Sequence, residues 1–164
     1  MLQMEKEIFY SENNIIVRRA NHSDIPVLSQ RMSEENMEEL WVAHNLSPRH
    51  ALEIALKTSV MALTIEHEGN PVGIFGIRTD NILGQKAEIY FLVTDDFGKI
   101  GRIFLRHARR FIDIFLEFYP YLDGMVYERN VASIFWMKYC YAVVEEPVAW
   151  GIEGKLFSHF YFRK

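Results

Sequence analysis

Two kinds of hydrophobic patterning divide the chain. Residues 15–20, IIVRRA, are rich in β-branched side chains and predict a strand. The preceding residues, 1–14, show no clear period and read as an N-terminal arm or a short helix. After Asn21 the apolar spacing changes to three and four. Ile25, Leu28 and Met32 form a helical stripe, with Ser23 as its N-cap and Pro26 in its first turn. A second helix over 34–43 carries Met37, Leu40 and Trp41 on one side. A third opens at Ser47-Pro48 and turns Ala51, Ile54 and Ala55 inward.

From residue 60 the period is that of strands. VMALTIEHEG and PVGIFGIRTD read as a hairpin joined at Gly69-Asn70. KAEIYFLVT is the fourth strand, and its apolar run at 89–93 predicts burial on both faces. A long amphipathic helix follows. It has Ile103, Phe104, Ala108, Phe111, Ile112 and Phe115 on one side, and most of Arg102, Arg106, Arg109, Asp113 and Glu117 on the other. Tyr119-Pro120 ends it. LDGMVY is a fifth strand, NVASIFWMKYCYA a helix capped by Asn130, and residues 143–164 give two last strands around a turn at 151–154. The order predicts an α/β (α+β) fold. Its mixed, mostly antiparallel central sheet has about seven strands and helices on both faces. The strand-helix-strand unit at 87–127 requires a parallel crossover. No repeat or linker divides residues 15–164, which read as a single domain.

Composition narrows the function classes. A chain of 164 residues with 49% hydrophobic and 14% aromatic content can bury about 70% of its unfolded surface. A net charge of −4 argues against broad nucleic-acid binding. The one cysteine, Cys140, permits no internal disulfide and fits a reducing compartment. No apolar run approaches the roughly 18 residues of a membrane span, and Glu5, Lys6 and Glu7 interrupt any signal-peptide core. A cytoplasmic protein without a membrane partner is expected.

Candidate chemistry concentrates in FLVTDDFGKIGR, residues 91–102. A strand runs through two glycines into a helix, whose first N–H groups lack intrahelical partners and attract anions. Gly98 and Gly101 allow close backbone approach, while Lys99 and Arg102 add charge. Asp95 and Asp96 compete for the same helix end, and a plain strand-to-helix turn remains an alternative. Arg102 and Arg106, one turn apart, are candidate phosphate grips or a solvated basic face. The histidines 22, 44, 50, 67, 107 and 159 form no H-x-x-x-H pair, and C-x-x-C is absent, so no metal is expected. No G-x-S-x-G supports a nucleophile elbow, and Cys140 reads as a buried, inert thiol.

The element order and ERNVASIFWMKYCYAVVEEP, residues 128–147, resemble the GNAT superfamily of N-acetyltransferases. Asn130 and Ser133 match the closing motif of that family, Met137 stands at its usual acid tyrosine, and Tyr141-Ala142 replaces its Gly-Phe. The glycine loop is one residue short of the family spacing. ELWVAHNLSPRHALEIAL, PVGIFGI and VEEPVAWGIEGKLFSHFYF narrow the resemblance. They are similar to a small phage- and prophage-encoded GNAT-like family that includes an internal virion protein of short-tailed coliphages. The resemblance covers about 15–164. It implies acetyl-CoA as co-substrate, held between the fourth and fifth strands by Leu92, Val93, Gly98, Lys99, Ile100, Gly101, Arg102, Asn130 and Ser133. It implies an amine acceptor, small molecule or protein, with Glu88 as base and Tyr139 or Tyr141 as acid; each of the three also reads as an ordinary surface or packing residue. Trp41, His44 and His50 fall in the helical insert on the acceptor side. A catalytically inactive phage protein, binding a phage or host partner in the host cytoplasm or the virion, is the alternative; oligomer formation stays open.

Overall fold

The structure, a computed structural model, describes residues 7–164, so the first six residues of the expected arm lie outside the described residues. Among the described residues, nine strands form one sheet in the order β1-β2-β3-β4-β5-β6-β9-β7, with β8 also on β9. Residues 8–12, read from sequence as arm or helix, form β1 (Ile8–Glu12), which pairs antiparallel with β2 (Ile15–Arg19). A short 3-10 turn, α1 (Ile25–Gln30), α2 (Glu34–His44) and α3 (Pro48–Thr58) follow. Asn21 rather than Ser23 caps the entry, because its side chain accepts the Ser23 N–H in a capping box with Asp24.

β3 (Ser59–His67) and β4 (Asn70–Arg78) form the expected hairpin. Glu68 and Gly69 both have positive φ, +52° and +82°, the turn that matches strand twist. β5 (Lys86–Val93) leads through a second 3-10 turn (Asp95–Lys99) into α4 (Gly101–Phe118), and β6 (Tyr121–Tyr127) returns parallel to β5. After α5 (Val131–Tyr139), the penultimate strand is split into β7 (Val143–Val144) and β8 (Val148–Trp150). Both pair with β9 (Lys155–Arg163).

The period-two alternation of the strands sorts the core onto two faces. Val17, Leu63, Ile65, Phe75 and Ile77 meet Phe104, Phe111 and Phe115 of α4. Ile74 points the other way, onto Ile25, Leu28 and Leu52 of α1 and α3. Val42 and Ala43 of α2 cover Tyr127 and Phe157. Residues 89–93 are only half-buried, contrary to the continuous burial expected of that apolar run. The reason is topological: β5 borders a gap in the sheet.

Candidate active site

Strands β5 and β6 pair over only three positions, Lys86↔Tyr121, Ala87↔Leu122 and Glu88↔Asp123. Beyond them the strands part. β6 stays zipped to β9 as far as Tyr127↔Phe157, while the end of β5 is taken by the connection between α1 and α2. A cavity of about 1020 Å³ runs through this gap. On the α2–α3 side it is lined by Glu39, Leu40, His44 and Ile54, and on the α4–α5 side by Phe104, Trp136, Met137 and Cys140. A second cavity of about 310 Å³ opens at the loop before α4 and is lined by Asn36, Val93, Gly98 and Asn130. Ser133 lines both.

The apex of the gap is polar. Glu88 lines the large cavity and is held by Arg78, whose Nη2 lies 3.1 and 3.3 Å from its two oxygens. Asp123, its partner on β6, receives Lys86 Nζ at 2.9 Å and pairs with His159 Nε2 at 2.8 Å. Burial opposes a charge on His159, but the Asp123 and Glu145 carboxylates outweigh it and raise its pKa. His44 stacks edge-on against Trp150 at 5.4 Å, and burial lowers its pKa. Of the other two residues of the insert, Trp41 is 54% exposed, and neither it nor His50 lines this cavity.

On the opposite side aromatic rings fill much of the space. Trp136 stacks on Phe91 at 4.6 Å and on Phe104 at 5.5 Å, and Phe97 closes edge-on against Phe91 at 5.4 Å. Cys140 is buried there, and burial pushes its thiol up to about 11. Met137 faces the same cavity. Tyr139 and Tyr141 do not line either cavity; they are 53% and 78% exposed, and Tyr141 lies over Arg109. Glu88 and the two tyrosines are therefore not brought together.

The glycine loop sits at the mouth of the gap. Gly98 faces open space, and a Cβ on Gly101 would come no nearer than 3.7 Å to the Phe97 ring. Ile100 is buried and precedes α4, which has no side-chain cap on its N-terminus. Asp96 is not directed at that helix end: it accepts Arg31 Nε at 2.7 Å and pairs with Lys99 Nζ at 3.3 Å. Arg102 and Arg106 are exposed. Asn130 is buried; its Oδ1 caps α5 through Ser133 N–H, and its Nδ2 donates to Glu39 at 3.0 Å. Leu92 packs toward α1 and α3, while Val93 lines the smaller cavity.

Sequence reasoning missed Asn36, Glu39, Asp123 and His159. Asn36 and Glu39 were invisible to hydrophobic periodicity because they are polar, although α2 turns them toward the gap. Burial raises the Glu39 pKa, against the two hydrogen bonds it accepts from Asn130 and the Tyr127 N–H. Among the described residues, no three histidine, cysteine or acidic groups are arranged to hold a metal ion, and no helix is long and apolar enough to cross a membrane.

No protein-family model matches the sequence, and no curated protein matches it. Solved structures do match over nearly the whole chain. A spermidine N-acetyltransferase from Vibrio cholerae, in complex with CoA and spermine, aligns with a TM-score of 0.67 at 15% identity, covering 93% of this chain and 96% of that one. An acetyltransferase of the GNAT family from Bacillus anthracis aligns at 0.70 and 11% identity, covering 95% and 98%. A ribosomal L7/L12 α-N-protein acetyltransferase in complex with coenzyme A aligns at 0.66 and 13%, covering 94% and 96%. The chain has the GNAT fold.

Proposed function

We propose that this protein is an acyl-CoA-dependent N-acyltransferase, using acetyl-CoA and an amine acceptor by direct transfer. The parting of β5 and β6 carries the reading: it joins an anion-attracting helix end at one mouth to a polar, acid-bearing pocket on the other side. The diphosphate is assigned to the loop and helix start at Gly98, Lys99, Ile100, Gly101 and Arg102, where the first N–H groups of α4 and the helix dipole favour it. The pantetheine arm is assigned to the gap, against Leu92, Val93, Asn130 and Ser133. The acceptor enters from the α2–α3 side, beside His44 and Glu88.

In the reaction the amine nitrogen bonds to the acyl carbon and the carbon–sulfur bond breaks. Glu88 takes the proton leaving nitrogen, directly or through water. The CoA thiolate takes its proton from solvent, because Met137 has none to give and Tyr139 and Tyr141 lie outside the cavity. The test is thiol release from acetyl-CoA with spermine, a lysine-bearing peptide and a peptide with a free N-terminus as acceptors. Activity that drops at least a hundredfold in Glu88→Gln supports the assignment; no release with any acceptor removes it.

A second reading is favoured by that same Met137 and by the exposed tyrosines. In it the fold is retained without turnover, as a binding or virion-assembly component of a phage or prophage, in the host cytoplasm or the virion. Acetyl-CoA binding without thiol release supports this reading.

A further inference from the structure

A strand edge that has lost its neighbour presents bare N–H and C=O groups and binds whatever offers complementary ones. The gap has two such edges, and the start of α2 covers the outer part of both. Ser33 N–H donates to Val93 O at 2.9 Å, and Asp95 N–H donates to Arg31 O at 3.1 Å. These bonds flank an antiparallel bridge between Met32 and Thr94. Asn36 Oδ1 accepts the Val93 N–H at 2.9 Å. One helical turn on, Glu39 Oε2 accepts the Tyr127 N–H of β6 at 3.2 Å and the Asn130 amide at 3.0 Å. Outside the gap, the Arg31–Asp96 pair ties this segment to the loop before α4.

We propose that residues 31–39 form a self-occluding strap, in which Ser33 and Asn36 hold on Val93 the bonds that the pantetheine amides of acyl-CoA take when the cofactor binds. The proposal rests on the acyl-CoA reading and adds a regulation of that same site. A pantetheine carbonyl replaces Asn36 Oδ1 at the Val93 N–H, and a pantetheine N–H replaces that of Ser33 at the Val93 oxygen. Exchange of one amide hydrogen bond for another is nearly neutral, so the strap weakens binding without forbidding it. Release also strands no side chain: Asn36 Oδ1 already accepts the Ser33 hydroxyl at 3.1 Å and keeps that donor when Val93 leaves. The cofactor diphosphate competes with Asp96 for Arg31.

The test is calorimetric titration of acetyl-CoA into the full chain, as wild type, Asn36→Ala and Asn36→Leu. The leucine variant keeps more of the side-chain volume in case alanine loosens α2, and a cooperative urea transition confirms that each is folded. Loss of the competing bond is expected to tighten acetyl-CoA binding about fivefold to tenfold. In the wild type, the Ser33 amide is expected to exchange with solvent at least tenfold faster at saturating acetyl-CoA. Wild-type binding that is unchanged or weaker in both variants, or a Ser33 amide that stays protected, overturns the strap and leaves the acyl-CoA reading standing. Binding only by the variants supports both. No binding by any of the three overturns both.

Discussion

Replacing Arg18 with methionine removes the cation paired with Asp24 while keeping a side chain of similar length. Arg18 is 2% exposed, and the Asp24 side chain is 3% exposed. The guanidinium binds both oxygens of Asp24, at 2.9 and 2.7 Å, and its Nε donates to Glu66 at 2.7 Å. Asp24 also accepts the Asn21 N–H at 3.0 Å and the Thr64 hydroxyl at 2.9 Å. Burial pushes the Asp24 carboxyl up, but Arg18, Asn21 and Thr64 together hold it below the usual carboxylate range. Breaking a buried pair from one side costs about 3–5 kcal/mol. In a domain of this size that lowers Tm by roughly 6–20 °C. Wild-type Asp24 has a depressed folded pKa, so its contribution is complete above an unfolded value of about 3.9 and is lost as pH falls through the folded value. In the variant, burial without a cation raises the folded pKa, and that penalty is relieved on acidification. Urea unfolding at pH 7 and pH 5, followed by tryptophan fluorescence, should therefore show a large gap between the two proteins that narrows at the lower pH. A loss under about 1 kcal/mol at pH 7, or a gap that widens on acidification, refutes the argument.

Three further outcomes follow from local geometry. Gly124→Ala places a Cβ 2.7 Å from the Phe160 ring and 3.2 Å from the Ile89 oxygen, and should cost about 1–3 kcal/mol in urea unfolding; a neutral effect contradicts the packing at the apex of the gap. The raised pKa of His159 stabilises the fold fully below an unfolded value of about 6.5, and this is lost as pH rises through the folded value. His159→Gln should then destabilise more at pH 6 than at pH 9, and equal losses at both contradict the carboxylate pairing. Cys140, buried and with its thiol pushed up to about 11, should react slowly with Ellman's reagent at pH 8 in the folded protein and at once in urea; rapid reaction when folded contradicts its placement.

The elements legible in the sequence were those whose signals are local. The Ser47-Pro48 helix start, the hairpin expected at Gly69-Asn70 and the apolar stripe of α4 each depend on neighbours in the chain, and each appears in the structure, the hairpin with its turn one residue earlier, at 68–69. What was not legible depends on topology. The run at 89–93 looks buried on both faces, yet cavities flank it, because β5 and β6 stop pairing beyond Glu88 and Asp123. α2 carries Met37 and Trp41 outward and Asn36 and Glu39 toward the gap, the reverse of what hydrophobic periodicity rewards. Asp95 and Asp96 were plausible occupants of the α4 N-terminus from sequence; the 3-10 turn turns Asp96 instead to Arg31 and Lys99. His159 and Asp123 lie 36 positions apart, and only strand pairing brings them within hydrogen-bond distance.

Acetyl-CoA binding measured by calorimetry, with Gly101→Glu as the comparison, tests the central claim most directly. The Gly101 position has room for a side chain, so the variant is expected to fold, and its carboxylate would stand where the diphosphate is assigned. The account predicts micromolar binding by the wild type and at least a tenfold loss in Gly101→Glu. Equal binding by both proteins, or none by the wild type and the Asn36 variants alike, would contradict the assignment of the β5–β6 gap to acyl-CoA.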